Sequence, residues 1–129
     1  MKRGAIVLTK FPFTDLSSSK RRPALIISEV SSEKPDVIVA FISSVIPDRL
    51  SETDFVLDTD HKDFPGTGLK KTSVFKMDKI ATLSKAIFSG EMGNVSPVIL
   101  KQLESKLKIA LALKGTNLGL FKYFFQRKK

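Results

Sequence analysis

The chain has no cysteine, no tryptophan, one tyrosine and one histidine among its 129 residues. Without cysteine there are no disulfides, no thiol nucleophile and no thiolate metal site. With His61 alone, a zinc site built on several imidazoles is excluded as well. No apolar run approaches the roughly 18–20 residues that a bilayer crossing requires. The segment Met1-Lys2-Arg3-Gly4 leads straight into a strand-length run, without the h-region and cleavage site of a signal peptide. These gaps describe a cytoplasmic protein with no cofactor and no structural metal.

What is present is a sizeable apolar fraction, 42%, in a length suited to one domain with its own core. Net charge is +9, and it is unevenly placed. Residues 1–64 hold nine Lys/Arg against ten Asp/Glu, whereas residues 65–129 hold thirteen against three. Such asymmetry suits a polyanionic partner, most simply nucleic acid.

The most pointed stretch is Lys20-Arg21-Arg22-Pro23, which closes the polar connection Thr14-Asp15-Leu16-Ser17-Ser18-Ser19 and opens the apolar run Ala24-Leu25-Ile26-Ile27. Pro23 biases Arg22 toward an extended backbone, so the third cation is delivered at the mouth of a strand. A guanidinium held there offers a rigid, permanently charged fork that fits phosphate. The bland alternative is a solvated basic triplet.

Along the chain, strands are expected at 4–9, 23–28, 37–44, 54–58 and 72–77. Residues 79–83 continue or pair with the last of these, and 86–92 form a further strand or an extended arm. Residues 61–68 read as loop, with Pro65-Gly66 as a turn signal. Ser96-Pro97 opens one helix: serine caps, and proline at the first position lacks only a donor that would be orphaned anyway. Ile99, Leu100, Leu103, Leu107, Ala110 and Leu111 then recur at helical spacing, and Gly115 is the expected stop. Five or six short strands and one terminal helix imply a mainly β fold, a small and strongly bent antiparallel sheet or barrel closed by a C-terminal amphipathic helix. The domain is placed at 1–115, and 116–129 is an aromatic and basic extension.

Several blocks together resemble the MazF/PemK (Kid) family of toxin endoribonucleases. They are Lys2-Arg3-Gly4-Ala5-Ile6-Val7, Phe11-Pro12-Phe13-Thr14-Asp15-Leu16, Arg21-Arg22-Pro23-Ala24-Leu25-Ile26, Ile42-Ser43-Ser44, Leu69-Lys70-Lys71-Thr72-Ser73-Val74 and Met77-Asp78-Lys79-Ile80-Ala81-Thr82. With the closing helix, the likeness runs from about Lys2 to Leu113 in matching order. It implies an SH3-like barrel working as a homodimer, cutting single-stranded RNA without metal and held inactive by an antitoxin. It carries the arginine of the Arg-Pro pair onto Arg22 and a strand-end hydroxyl, usually threonine, onto Ser43. A basic residue and an aspartate fall on Lys76 and Asp78. The sequence departs from the pattern at Ala5, where the family carries aspartate, at Ala81, where it carries arginine, and at Ser43 itself.

Metal-free cleavage uses the 2′-hydroxyl of RNA as nucleophile, leaving a 2′,3′-cyclic phosphate and a 5′-hydroxyl. On this reading Arg22 stabilises the phosphorane charge and Ser43 donates a hydrogen bond to a non-bridging oxygen. Asp78 is the candidate acid or base, with a structural turn role as its alternative. Ser17, Ser18, Ser19, Lys20, Arg21, Lys70, Lys71 and Lys76 are candidates to follow the RNA backbone, and Phe11 and Phe13 to stack on bases. The antitoxin is expected to bring an acidic, largely disordered segment. Two other classes share these features: a CcdB-like toxin that inhibits DNA gyrase without catalysis, and a basic RNA-binding domain.

Overall fold

The computed structural model describes residues 1–10 and 20–114. Six strands form one antiparallel sheet: β1 (Ala5–Thr9), β2 (Arg22–Ile26), β3 (Asp36–Ser43), β4 (Asp54–Leu57), β5 (Ser73–Ser84) and β6 (Gly90–Asn94). Their order across the sheet is β4-β5-β3-β2-β1-β6. A single helix, α1 (Pro97–Ala110), follows. The bent sheet with a terminal helix agrees with expectation, but β4 and β6 remain edges, so the sheet curls into a half-barrel.

The pleat explains how so short a chain builds two cores. Ile6, Leu25, Ala40, Ile42, Phe75 and Met77 share one face, where Ile99 and Leu103 of α1 close over them. Ala5, Val7, Ala24, Ile26, Val39 and Phe41 alternate with these and form a second cluster on the other face. In β3 every residue from Val39 to Ser43 is buried, as its unbroken apolar run implies.

α1 begins as its sequence dictates, with the Ser96 hydroxyl accepting from the Ile99 N–H at 3.2 Å. Ile99 and Leu103 are both fully buried; each contributes about 1.5–3 kcal/mol. Arg3 ties the helix to the sheet. Its Nε donates to the Ile27 carbonyl at 3.0 Å, and its other arm meets Glu104 at 2.9 Å.

Two expectations need correction. The helix ends at Ala110, short of Gly115, because Leu113 N–H reaches the Lys108 carbonyl and Ala112 N–H the Ile109 carbonyl, a Schellman closure with Ala112 at φ 56°. Of residues 86–92, expected as a strand or an extended arm, the first two belong to a 3-10 turn at 85–87 and the strand begins only at Gly90, since the chain must reverse before β6 can lie along β1. Residues 65–67 make a second such turn where Pro65-Gly66 marked one. The two segments flanking Asp78 are one strand, β5, broken by a bulge: Phe41 pairs with Lys76 but Ala40 with Ile80. The extension 116–129 lies outside the described residues.

Candidate nucleic-acid cleft

Pro23 acts as the sequence suggests: Arg22 is extended, the first residue of β2, and pairs with Thr9 of β1. Ser43 is the last residue of β3. The β2–β3 ladder pairs Ala24 with Phe41, so continuing it by two residues sets Arg22 across from Ser43. Both side chains line one cleft of about 300 Å³. The register of two antiparallel strands thus brings together a guanidinium and a hydroxyl that lie 21 positions apart in the chain.

The cleft gathers cations from two further directions. Lys20 and Arg21 approach ahead of β2, and Lys70 and Lys71 approach ahead of β5. The latter pair is held by the Ser73 hydroxyl, which donates to the Lys71 carbonyl at 2.8 Å. Behind them the buried Thr67 hydroxyl donates to the Phe64 carbonyl at 2.6 Å and accepts from the Leu69 N–H. Among the described residues five cations and no carboxylate line this space. Like charges gathered this closely repel one another, which a bound anion relieves. The Arg22 guanidinium has no hydrogen bond or ion pair among the described residues, so its five donors are available.

Ser43 is only 8% exposed. Its oxygen accepts the Val45 N–H at 3.1 Å. With an acceptor lone pair thus engaged, the hydroxyl keeps its proton for a donor role. The Val45 amide orients this oxygen.

The remaining candidates divide. Lys76 pairs with Phe41 and with Asp54, two rows along the ladder from the Ser43–Val74 pair, and does not line the cleft. Asp78 sits exposed in the β5 bulge, away from the lining. His61 closes its own loop, with Nδ1 accepting the Asp63 N–H at 3.0 Å. Ser17, Ser18, Ser19, Phe11 and Phe13 lie outside the described residues. Sequence reasoning overlooked Leu69 and Met92 as lining residues. The Met92 signal was an apolar residue set in Gly-Glu-Met-Gly, a pattern that marks a bulge.

Residues 2–111 match the family described as PemK-like, MazF-like toxin of type II toxin-antitoxin system. The chain belongs to this family. It is a type II toxin, and the cleft lies within the stretch that matches. No curated protein matches the sequence. Among solved structures, an endoribonuclease in complex with its cognate antitoxin from Mycobacterial species superposes with a TM-score of 0.69 at 21% identity, over 89% of this chain and 98% of that one. Mycobacterium tuberculosis toxin MazF-mt6 gives 0.67 at 20% identity, over 86% and 99%. A MazE-MazF structure from Deinococcus radiodurans gives 0.67 at 16%, over 88% and 97%. At these identities the likeness speaks for the fold alone.

Proposed function

We propose that this toxin is a sequence-selective endoribonuclease that cuts single-stranded RNA in the cleft between β2, β3 and the Lys70–Lys71 approach. The observation that carries the reading is the convergence of Arg22 and Ser43 in one cleft ringed by cations. The 2′-hydroxyl attacks the adjacent phosphorus and the bond to the 5′-oxygen breaks. The products are a 2′,3′-cyclic phosphate and a 5′-hydroxyl, the proton lost at one oxygen being balanced by that gained at the other. Arg22 neutralises the charge that develops on the phosphorane, and its permanent protonation suits that role better than proton transfer. Ser43 donates to a non-bridging oxygen. The cations supply locally the positive charge that phosphoryl chemistry requires, so the reaction proceeds without a metal ion. Asp78, exposed in the bulge, is not assigned the proton transfer.

The working form is a homodimer in the cytoplasm, where its RNA substrates are. No helix among the described residues is long and apolar enough to cross a membrane. A cognate antitoxin silences it by laying an acidic segment along the same cations, as complementary charge and the antitoxin-bound neighbours suggest.

The test is cleavage of end-labelled single-stranded RNA in excess EDTA, with end-group analysis of the fragments. Expected are 5′-hydroxyl ends, and rates about 10²–10³ lower for Arg22→Ala and for Ser43→Ala. Full activity of Arg22→Ala, or 5′-phosphate ends, overturns the mechanism.

A further inference from the structure

The phosphate chemistry assigned to the cleft needs cations and hydroxyls, yet a third of its lining is apolar: Pro23, Ile42, Leu69 and Met92. Ile42 and Leu69 are core residues whose edges happen to reach the cleft, at 0% and 8% exposure. Met92 is different. It is half-buried, and it comes from β6, which is separated from β2 by β1.

Its placement is built. In the β1–β6 ladder Ile6 pairs with Gly93 and Val7 with Glu91, so Met92 is the extra residue of a bulge, with no partner across the ladder. Bulges re-aim a side chain, and they gather next to functional sites. A backbone clamp fixes this one. A Cβ on Gly68, which sits at φ 74°, would collide with the Met92 carbonyl, and a Cβ on Gly93 would collide with the Gly66 carbonyl. Loop and strand are thereby pressed together backbone to backbone. Leu69 and Lys70 leave the clamp on one side and the Met92 side chain on the other, both into the cleft.

The geometry points to Met92, flanked by Leu69 and Pro23, as the seat for the nucleobase next to the scissile phosphate. A thioether is polarisable and makes favourable contact with an aromatic ring. A base unstacked from single-stranded RNA needs such a face once its phosphate is held by Arg22 and Ser43. The cleft volume is at the small end for ligand sites, room for a single base beside the phosphates that the cations follow. Because the floor offers contact area and few polar groups, it selects by shape and stacking, so Met92 is a specificity-determining residue at one position of the RNA. This rests on the reading of the cleft as an RNA site.

The experiment couples protein and substrate changes. A cleaved RNA is remade with an abasic nucleotide at each position around the cut, and wild type, Met92→Ala and Met92→Leu are compared. For wild type, one abasic position should lower kcat/KM by about 2- to 10-fold, the range of a sulfur–aromatic contact. Met92→Ala should show the same loss on intact RNA and no further loss on that abasic RNA. Met92→Leu keeps the packing volume; it should retain the melting temperature and alter base preference at that one position. Independent losses at every position, or unchanged preference in a folded Met92→Leu, overturn the seat. The same abasic scan read as RNA binding by Ser43→Ala separates the two ideas. If wild type never cleaves but the coupling persists in binding, the seat stands and the nuclease reading falls; if neither is seen, both fall.

Discussion

Removing both Lys70 and Lys71 should flatten the salt dependence of RNA binding by a calculable amount. Five cations line the cleft. Each phosphate neutralised on a single strand contributes about −0.7 to the slope of log K against log salt. Full engagement of the five therefore gives a slope near −3.5, an affinity about 100-fold weaker at 200 mM salt than at 50 mM. With Lys70→Ala and Lys71→Ala together three cations remain, the slope falls to about −2.1, and the same salt step costs only about 20-fold. The measurement is a fluorescence-anisotropy titration of labelled single-stranded RNA at four or five salt concentrations, in the slowly cleaving Ser43→Ala background. Neither lysine is buried, so the fold should persist, and a matching melting temperature checks that. Affinity should drop by similar factors for RNAs of different sequence, because these side chains meet phosphates and not base edges. A slope near −1, or one unchanged by the double substitution, would refute the idea that the ring of charge is a phosphate track.

Three further outcomes test the framework around the cleft. Leu103→Ala empties a fully buried position where α1 meets the sheet; urea unfolding should show a loss of about 2.7–5 kcal/mol. Ala112→Gly relieves an alanine held at φ 56°, and calorimetry should register a gain of about 0.5–1 kcal/mol, the strain relieved exceeding the backbone entropy added. Gly93→Ala drives a methyl group into the backbone of the 66–67 turn; it should lose about 1–3 kcal/mol and, by shifting Lys70 and Met92 apart, depress RNA cleavage more than Leu103→Ala does at equal stability.

Much of the β scaffold could be read locally. β-branched runs, the polar connections between them and the Ser96-Pro97 start place β1 to β4 and α1, because each depends on neighbours in the chain. The helix end is local, closed by the Leu113 N–H on the Lys108 carbonyl, but it holds an alanine at φ 56° where such caps favour glycine, so Gly115 is the stronger signal in the sequence. The 85–87 reversal depends on residues far apart in the chain: the Lys85 N–H reaches the Pro35 carbonyl where the β3–β5 ladder ends.

By itself the sequence determined that Arg22 would stand extended at a strand mouth, since Pro23 restricts its immediate predecessor whatever surrounds it. It also determined that the second half of the chain would carry the positive charge. The tertiary structure alone decided which groups share the cleft. Strand register sets Ser43 opposite Arg22, the Gly68–Gly93 clamp brings Lys70 and Met92 beside them, and the β5 bulge leaves Asp78 outside. Pairing register and backbone packing depend on contacts between residues tens of positions apart, which no local pattern encodes.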